Sequence, residues 1–382
     1  MIPLGLYVHV PFCRTRCRYC DFYRVGENAA RQALFLGALR REIAGLDELA
    51  GRTADTVFFG GGTPSLLAPD EIAGVLALLG RRFALASDAE VTMEANPSDL
   101  DPSRLAAYRA AGVNRLSLGV QSFGDRELRL LGRRHDAAHA ARCVAWARAA
   151  GFDNLSLDLM LAVAGQTRAS WRRTLERAVE LAPDHLSLYL LEVHERSEMD
   201  YLRRERPGLF PGEEAQRRRY LEAAASLTAA GYEQYEISNF SRPGRRSRHN
   251  LKYWRCEPFL GLGPAAHSHL GTRRFRHPPD LQAYLADPLA IEELPCDPPA
   301  ERVFLGLRLA EGVPEEQVAV ASGGAGPDLE SRLRRLAPFV VRAGGRLRLT
   351  REGFVVSNAI LSELVELADL ADLEPGASAA RG

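Results

Sequence analysis

Apolar positions along the chain follow two alternating patterns. Short, nearly uninterrupted apolar runs occur at 4–10 (LGLYVHV), 55–61 (DTVFFGG), 90–95 (EVTMEA), 115–121 (RLSLGVQ), 154–161 (NLSLDLML) and 185–193 (HLSLYLLEV). A run apolar on both faces reads as a parallel strand covered by helices. Between these runs, longer helical patterns lie near 28–49, 69–83, 101–111, 125–150 and 167–181. Strand and helix alternating in this way predict βα units on a parallel sheet. The fold class is therefore α/β. Six strands suit a partial (βα)6 barrel or an open doubly wound sheet, and periodicity alone does not choose between them.

After residue 195 the pattern changes. A charged stretch leads into a helix near 212–231, and an aromatic, glycine-rich segment follows at 232–280. The proline-rich LPCDPPAERV (294–303) reads as a linker. The pattern beyond it predicts a small α+β, winged-helix-like module, with FVVRAGGRLRLT (339–350) as its hairpin. The expected organisation is a barrel over 1–235, a connecting segment over 236–295, a small domain over 296–375 and a disordered tail over 376–382. No internal repeat is present.

Composition narrows the function classes. Of 382 residues, 46% are hydrophobic and 26% charged, and Lys+Arg and Asp+Glu both number 49. A chain without basic excess is a poor nucleic-acid binder. No run of about twenty apolar residues suggests a membrane span. MIPLGLYVHVPFC lacks the basic leader of a secretory signal, so a cytoplasmic location is expected. In that compartment the six cysteines are reduced, and clustered ones are more often metal ligands than disulfides.

Three of them cluster. Cys13, Cys17 and Cys20 follow the first strand directly, in CRTRCRYCDF, where an α/β barrel places its chemistry. Four thiolates would close a zinc site or saturate an iron–sulfur cluster; three on a [4Fe–4S] cube leave one iron open to an external ligand. A zinc site completed by His9 or a distant cysteine is the plainer alternative, but zinc knuckles favour C-x2-C pairs. Cys143 lies in a helical pattern and reads as a small buried hydrophobe. Cys256 and Cys296 are distant in sequence. Other strand ends carry polar candidates. Gly60, Gly61 and Gly62 allow close backbone approach to a ligand, or make a turn. Glu94 offers a carboxylate to ribose hydroxyls or an ammonium, Gln121 ends the fourth strand, and Asp158 interrupts an apolar strand at a cost unless it is paired. Arg133 offers a cation to a carboxylate.

The cysteine loop resembles that of radical S-adenosylmethionine (radical SAM) enzymes. Together with GLYVHVPFC, VFFGGGTPSLL, MEANP, RLSLGVQSF, EISNFSRPG, RHNLKYW, FLGLGPAAHS and SNAILSEL, it resembles the oxygen-independent coproporphyrinogen III oxidase superfamily, and within it the HemW-type haem chaperone branch, over roughly 4–370. The resemblance implies a [4Fe–4S] cluster on Cys13, Cys17 and Cys20. It implies that Tyr7, Tyr19, Gly61 and Glu94 contact the SAM bound there. Gly62, Thr63, Gln121, Arg133 and Asp158 match positions that bind a second SAM in the decarboxylase branch. HNLKYW matches a motif associated with haem, so His249, Tyr253 and Trp254 are the expected haem-binding residues; His249 offers an imidazole, and the two aromatic rings offer a flat surface. A buried turn holding His249 is the plainer reading of that motif alone.

Two departures sharpen the expectation. The decarboxylase branch carries a further cysteine where this chain has Phe22, and an N-terminal extension that this chain has no room for. The family's D-L-I-Y-G-L-P-G-Q-T loop reads DLMLAVAGQT here, with Leu161, Ala162 and Ala164 replacing Tyr, Gly and Pro, which puts the loop's shape in question. The expected function is a haem chaperone that delivers haem to recipient haemoproteins, respiratory ones among them. The rival is oxidative decarboxylation of coproporphyrinogen III to protoporphyrinogen IX, and a weaker third is radical chemistry on another tetrapyrrole. Arg14, Arg16 and Arg18 between the cysteines suit an acidic electron donor of the flavodoxin or ferredoxin type, or are simply a solvated loop.

Overall fold

The computed structural model describes residues 2–324 and 326–365. Six strands, β1 (Leu4–Val10), β2 (Thr53–Gly61), β3 (Ala84–Ala95), β4 (Arg115–Gln121), β5 (Leu155–Leu161) and β6 (His185–Leu190), lie side by side in chain order and pair in parallel. The helices between them are α1 (Ala29–Gly45), α2 (Pro69–Arg82), α3 (Pro102–Ala110), α4 (Asp125–Leu131), α5 (Ala137–Ala149) and α6 (Arg168–Glu180). This is the partial (βα)6 barrel. Its core packs between the helices and one face of the sheet: Leu6, Val8, Val57, Phe59, Leu116, Leu118, Leu155 and Leu157, side by side in the strand register, are all fully buried.

Three expectations about boundaries change. The stretch 125–150 is two helices, because Gly132 closes α4 in the left-handed region at φ 77°. The sixth strand stops at Leu190 rather than 193. The prolines near 294–303 do not make a linker. Pro298 and Pro299 open a helix, where a missing N–H costs nothing, and the Asp297 side chain caps it by accepting from Ala300 N.

The largest correction concerns 236–295, expected to connect two domains. Between residues 198 and 306 the helices α7 (Glu198–Glu205), α8 (Glu213–Ala229), α9 (Arg248–Trp254), α10 (Leu281–Ala286) and α11 (Pro298–Gly306) alternate with β7 (Glu233–Gln234), β8 (Asn239–Ser241), β9 (Phe259–Leu262), β10 (His267–Leu270), β11 (Arg273–Arg276) and β12 (Glu292–Leu294), of which α9, α10 and β8 to β12 fall within 236–295. These strands extend the sheet at both edges, giving the order β12-β11-β10-β9-β1-β2-β3-β4-β5-β6-β8-β7. β9 lies parallel beside β1, Leu6 opposite Leu260, and β10 to β12 follow antiparallel.

The remaining described chain forms the small module. β13 (Val313–Pro314), β14 (Val340–Ala343) and β15 (Arg346–Leu349) pair in the order β13-β15-β14, accompanied by α12 (Glu315–Ala321), α13 (Pro327–Arg335), α14 (Arg351–Val355) and α15 (Ser357–Leu364). Gly344 and Gly345 turn the hairpin at φ 60° and 71°, as a two-residue turn with two left-handed positions requires. Val303, Phe304, Leu307, Leu347 and Leu361 form a second core, and Trp254 at the end of α9 packs into it. The tail expected at 376–382, and the end of the expected small domain, lie outside the described residues. Among the described residues, no helix is long and apolar enough to cross a membrane.

Candidate functional site

The carboxyl ends of β1 to β6 open into a cavity of about 1800 Å³, whose far wall is built by α8, α9, β10 and α14. Each strand delivers one group to the rim. Beyond β1, the cysteine loop is tied down at both ends. A two-residue parallel bridge joins Phe12–Cys13 to Val25–Gly26, and Arg18 N donates to the Leu131 carbonyl at the turn after α4. Cys13, Cys17 and Cys20 all line the cavity and are half-buried. Cys13 Sγ lies 3.3 Å from Thr63 Oγ1, and Arg133 Nη1 donates toward Cys17 Sγ at 3.5 Å.

The electrostatics suit a metal centre. Burial pushes the Cys20 thiol up to about 11 and raises Cys13, while Arg24 acts against both shifts. These bare thiols stay protonated until a metal replaces the protons. Arg24 and Arg133 each keep a buried, unpartnered Nε beside the loop. A net-negative cluster on three thiolates fits such surroundings. The arginines that act on the cysteines are thus Arg24 and Arg133, rather than those interleaved with them. Arg14 pairs with Glu27 and Asp99, and Arg18 with Glu198. His9 does not complete a metal site: it is buried, with Nε2 3.1 Å from the Tyr23 carbonyl and Nδ1 3.3 Å from the Tyr7 hydroxyl.

On the strand ends, Tyr7, Tyr19, Gly61, Gly62, Thr63, Glu94, Gln121, Arg133 and Asp158 all line the same cavity. Arg133 crosses it from the far end of α4: Nη2 donates to the Gly119 carbonyl at 2.6 Å and to Asn96 Oδ1 at 3.2 Å, while Nη1 reaches toward Tyr19 and Cys17. Asp158 accepts from Ser117 Oγ at 3.1 and 3.2 Å. Burial, with the Asp158 charge nearby, raises Glu94 to about 8, against the Gly61 backbone N–H and Arg115. Two buried carboxyls sharing a wall disfavour double ionisation. A ligand ammonium is the group that such a pair would stabilise.

Arg115 went unremarked in the sequence. It opens β4, is 2% exposed and lines the cavity, yet its Nε has no hydrogen-bond partner among the described residues. A charged residue at a strand's first position reads as the solvated end of the strand, which hid it. The triple glycine also has a different cause from the one expected. A Cβ on Gly61 would stand 2.6 Å from the His9 ring, and one on Gly62 2.7 Å from the Phe12 carbonyl; Gly61 sits at φ 100°. The glycines let β2 pack against the chain's own cysteine loop, and that loop is what brings a cofactor near.

The haem motif divides. His249 is fully buried and does not line the cavity. Its Nδ1 lies 2.8 Å from Thr56 Oγ1, its Nε2 2.8 Å from the Tyr253 hydroxyl, and its ring stacks on Phe58 at 5.2 Å. With both nitrogens engaged, its imidazole is not presented to an iron in this conformation. Burial lowers its pKa to about 3, so it is neutral. Tyr253 and Trp254 do line the cavity, and so does His267. His269 does not.

The altered loop after β5 keeps its shape through Gln166. This buried amide accepts from Ala162 N at 2.8 Å and donates to the Met160 carbonyl and to Glu127, both at 3.1 Å. Ala162 takes φ 64°, a glycine-like value, where the family pattern has Gly.

Residues 7–178 match the model of the radical SAM superfamily. The heme chaperone HemW of Mycobacterium tuberculosis is 38% identical across 95% of this chain and 95% of that protein. That of Escherichia coli is 37% identical across 84% and 86%.

The chain belongs to the HemW family.

Radical S-adenosyl methionine domain-containing protein 1 of Bos taurus mitochondria is 44% identical, but the match spans 69% of this chain and 60% of that relative. The solved structure of coproporphyrinogen III oxidase (HemN) from Escherichia coli aligns over 96% of this chain and 90% of its own, at a TM-score of 0.81 and 25% identity. As a radical SAM protein, a HemW member carries a [4Fe–4S] cluster and SAM, and a reduced cluster would supply one-electron chemistry to the SAM bound at it. In this chain the cysteine loop would hold the cluster, Arg24 and Arg133 would offset its charge, and Glu94 and Asp158 would meet the ligand's cationic end.

Proposed function

We propose that this HemW-family protein is a haem chaperone that binds haem in the large cavity, opposite its cluster and SAM, and passes it to haemoproteins. The observation that carries the reading is the shared cavity: the cysteine loop and the Tyr253–Trp254 end of the HNLKYW helix face one space. Its volume of about 1800 Å³ exceeds the roughly 300–1,000 Å³ typical of single-ligand pockets, so a cofactor and a macrocycle fit together. Phe22, 42% exposed on the cavity's rim, adds aromatic surface where the decarboxylase branch has a cysteine. The full-length similarity to proteins named heme chaperone HemW supports the same conclusion.

On this reading Tyr253 and Trp254 contact the ring, and His267 on the wall replaces His249 as the imidazole to test for ligation. Respiratory haemoproteins are the proposed recipients, and the reduced state of all six cysteines suits the cytoplasm. An acidic flavodoxin or ferredoxin would meet exposed Arg16, the member of the arginine trio without an ion pair among the described residues.

The likeness to HemN favours a second reading, radical decarboxylation of coproporphyrinogen III. One experiment separates them. Cluster-loaded protein under anaerobic conditions is expected to bind haem, seen as a Soret band at stoichiometric ratio. With SAM and a strong reductant it is expected to leave coproporphyrinogen III unconverted. Many turnovers to protoporphyrinogen IX would overturn the chaperone reading.

A further inference from the structure

A second cluster of donor groups lies outside the large cavity. His269 on β10, Cys296 in the loop before α11, and Glu301 on α11 present ligand atoms that all lie within 4.8 Å of one another. None of the three lines the cavity. His269 is 3% exposed, and neither ring nitrogen makes a hydrogen bond of ordinary geometry; the Glu257 backbone is the one polar group that interacts with the ring outside that geometry. Buried polar groups are nearly always satisfied, and one backbone group serves at most one nitrogen, so the buried ring calls for a further partner. Cys296 is half-buried, which leaves a route of entry from solvent.

We propose that His269, Cys296 and Glu301 form a second metal site that takes one Zn²⁺, with water as the fourth ligand. The donor set selects the ion. Imidazole nitrogen, thiolate sulfur and carboxylate oxygen together suit borderline-soft Zn²⁺; all-thiolate sites suit iron–sulfur clusters or Cu(I), and all-oxygen sites suit Mg²⁺ or Ca²⁺. Zinc bonds of about 2.0–2.3 Å place tetrahedral ligands roughly 3.3–3.8 Å apart, so donor atoms already within 4.8 Å of one another close by no more than about 1.5 Å on binding.

Arg274 is buried against Glu301, with Nη2 at 2.5 Å and Nε at 3.3 Å from its oxygens, and holds that carboxylate in place beside His269 and Cys296. The Cys296 thiol gives up its proton as the metal enters. The bound ion would tie β10 to the start of α11, where the small module's core begins with Ala300, Val303 and Phe304.

The test uses cluster-loaded protein equilibrated with micromolar Zn²⁺ and desalted under anaerobic conditions. Elemental analysis is expected to find one zinc per chain with iron content unchanged. His269→Ala and Cys296→Ser are each expected to lose the zinc and keep the iron. Zinc should also protect Cys296 from alkylation by iodoacetamide in the unaltered chain, a readout independent of whether the variants fold. X-ray absorption at the zinc edge should show a mixed sulfur and nitrogen/oxygen shell. No zinc retained, zinc gained only as iron is lost, or alkylation of Cys296 unaffected by zinc would each overturn the proposal, leaving Cys296 as a thiol donating to Glu301. The haem-chaperone reading stands or falls separately, on haem binding.

Discussion

His249 Nε2 lies 2.8 Å from the Tyr253 hydroxyl, one turn along the same helix, while Nδ1 lies 2.8 Å from Thr56 Oγ1 on β2. The imidazole is therefore a strut between α9 and the sheet, and through Tyr253 it fixes one face of the cavity.

A strut and a ligand predict different losses. His249→Ala leaves two buried hydroxyls unpartnered and an empty volume beside Phe58 and Tyr7, at a cost of about 3 kcal/mol or more. Thr56→Val, which removes one of the same hydrogen bonds, should cost about 1–3 kcal/mol. Urea unfolding measures both. In the folded fraction of His249→Ala the Soret maximum is expected to stay where it is. A shifted Soret would mean that His249 swings out to the iron, and would restore it as a ligand.

The six cysteines divide three and three. Cys13→Ala, Cys17→Ala and Cys20→Ala are each expected to abolish the roughly four irons per chain of the reconstituted protein. Cys143→Ala should keep all the iron, because Cys143 is fully buried in α5, with its Sγ facing the Pro97 carbonyl. Iron and sulfide analysis after anaerobic reconstitution checks both halves. Full iron in any of the first three variants would displace the cluster from this loop.

Much of this arrangement was legible in the sequence, and the exceptions have physical causes. β1 to β6 announce themselves because the face under the helices is wholly apolar and polar groups interrupt only the face toward the cavity. β7 to β12 span two to four residues each, too short for any period to register, so a segment that widens the sheet read as a connector. The cavity's polar groups were found where they interrupt apolar runs, as Glu94 and Asp158 do. Arg115 escaped because it stands at a strand's beginning. Gly61 lines the cavity and must also be glycine for want of room beside His9, whereas His249 is turned to the protein because Thr56 and Tyr253 take both of its nitrogens. A sequence marks a residue as constrained without saying which neighbour constrains it.

The loop after β5 offers a stabilising change. Ala162 holds φ 64°, a region that costs a residue with a Cβ about 1–2 kcal/mol. Gln166 and the apolar cluster of Met160, Val163 and Ala164 hold it there. Ala162→Gly relieves that strain but frees the unfolded chain, so the net gain should be about 1 kcal/mol or less. Calorimetry should show a melting temperature raised by a degree or two, with cluster content unchanged. A lowered melting temperature would show that the methyl group's packing outweighs the strain.

Glu94 sets a pH signature. Its folded pKa of about 8 stands above the ordinary value of 4.5, through burial first and the nearby Asp158 second, against the opposing pull of the Gly61 backbone and Arg115. Between those two values the folded chain holds a proton that the unfolded chain has released. Stability therefore falls as pH rises through that window, and the loss is complete above about 8. Glu94→Gln keeps the shape and removes the titration. The variant should match the parent near pH 4.5 and become progressively more stable than it toward pH 8. At about 1.36 kcal/mol for each pH unit between the two values, the gap is on the order of 5 kcal/mol at most. Urea unfolding of the SAM-free protein across pH 5 to 9 is the measurement. The same proton must leave before the carboxylate can meet a cationic ligand group. SAM affinity in the parent is therefore expected to climb toward pH 8, and in Glu94→Gln to be weaker and flatter. A stability gap independent of pH would show that Glu94 is ionised throughout, and that Arg115 compensates its charge in full.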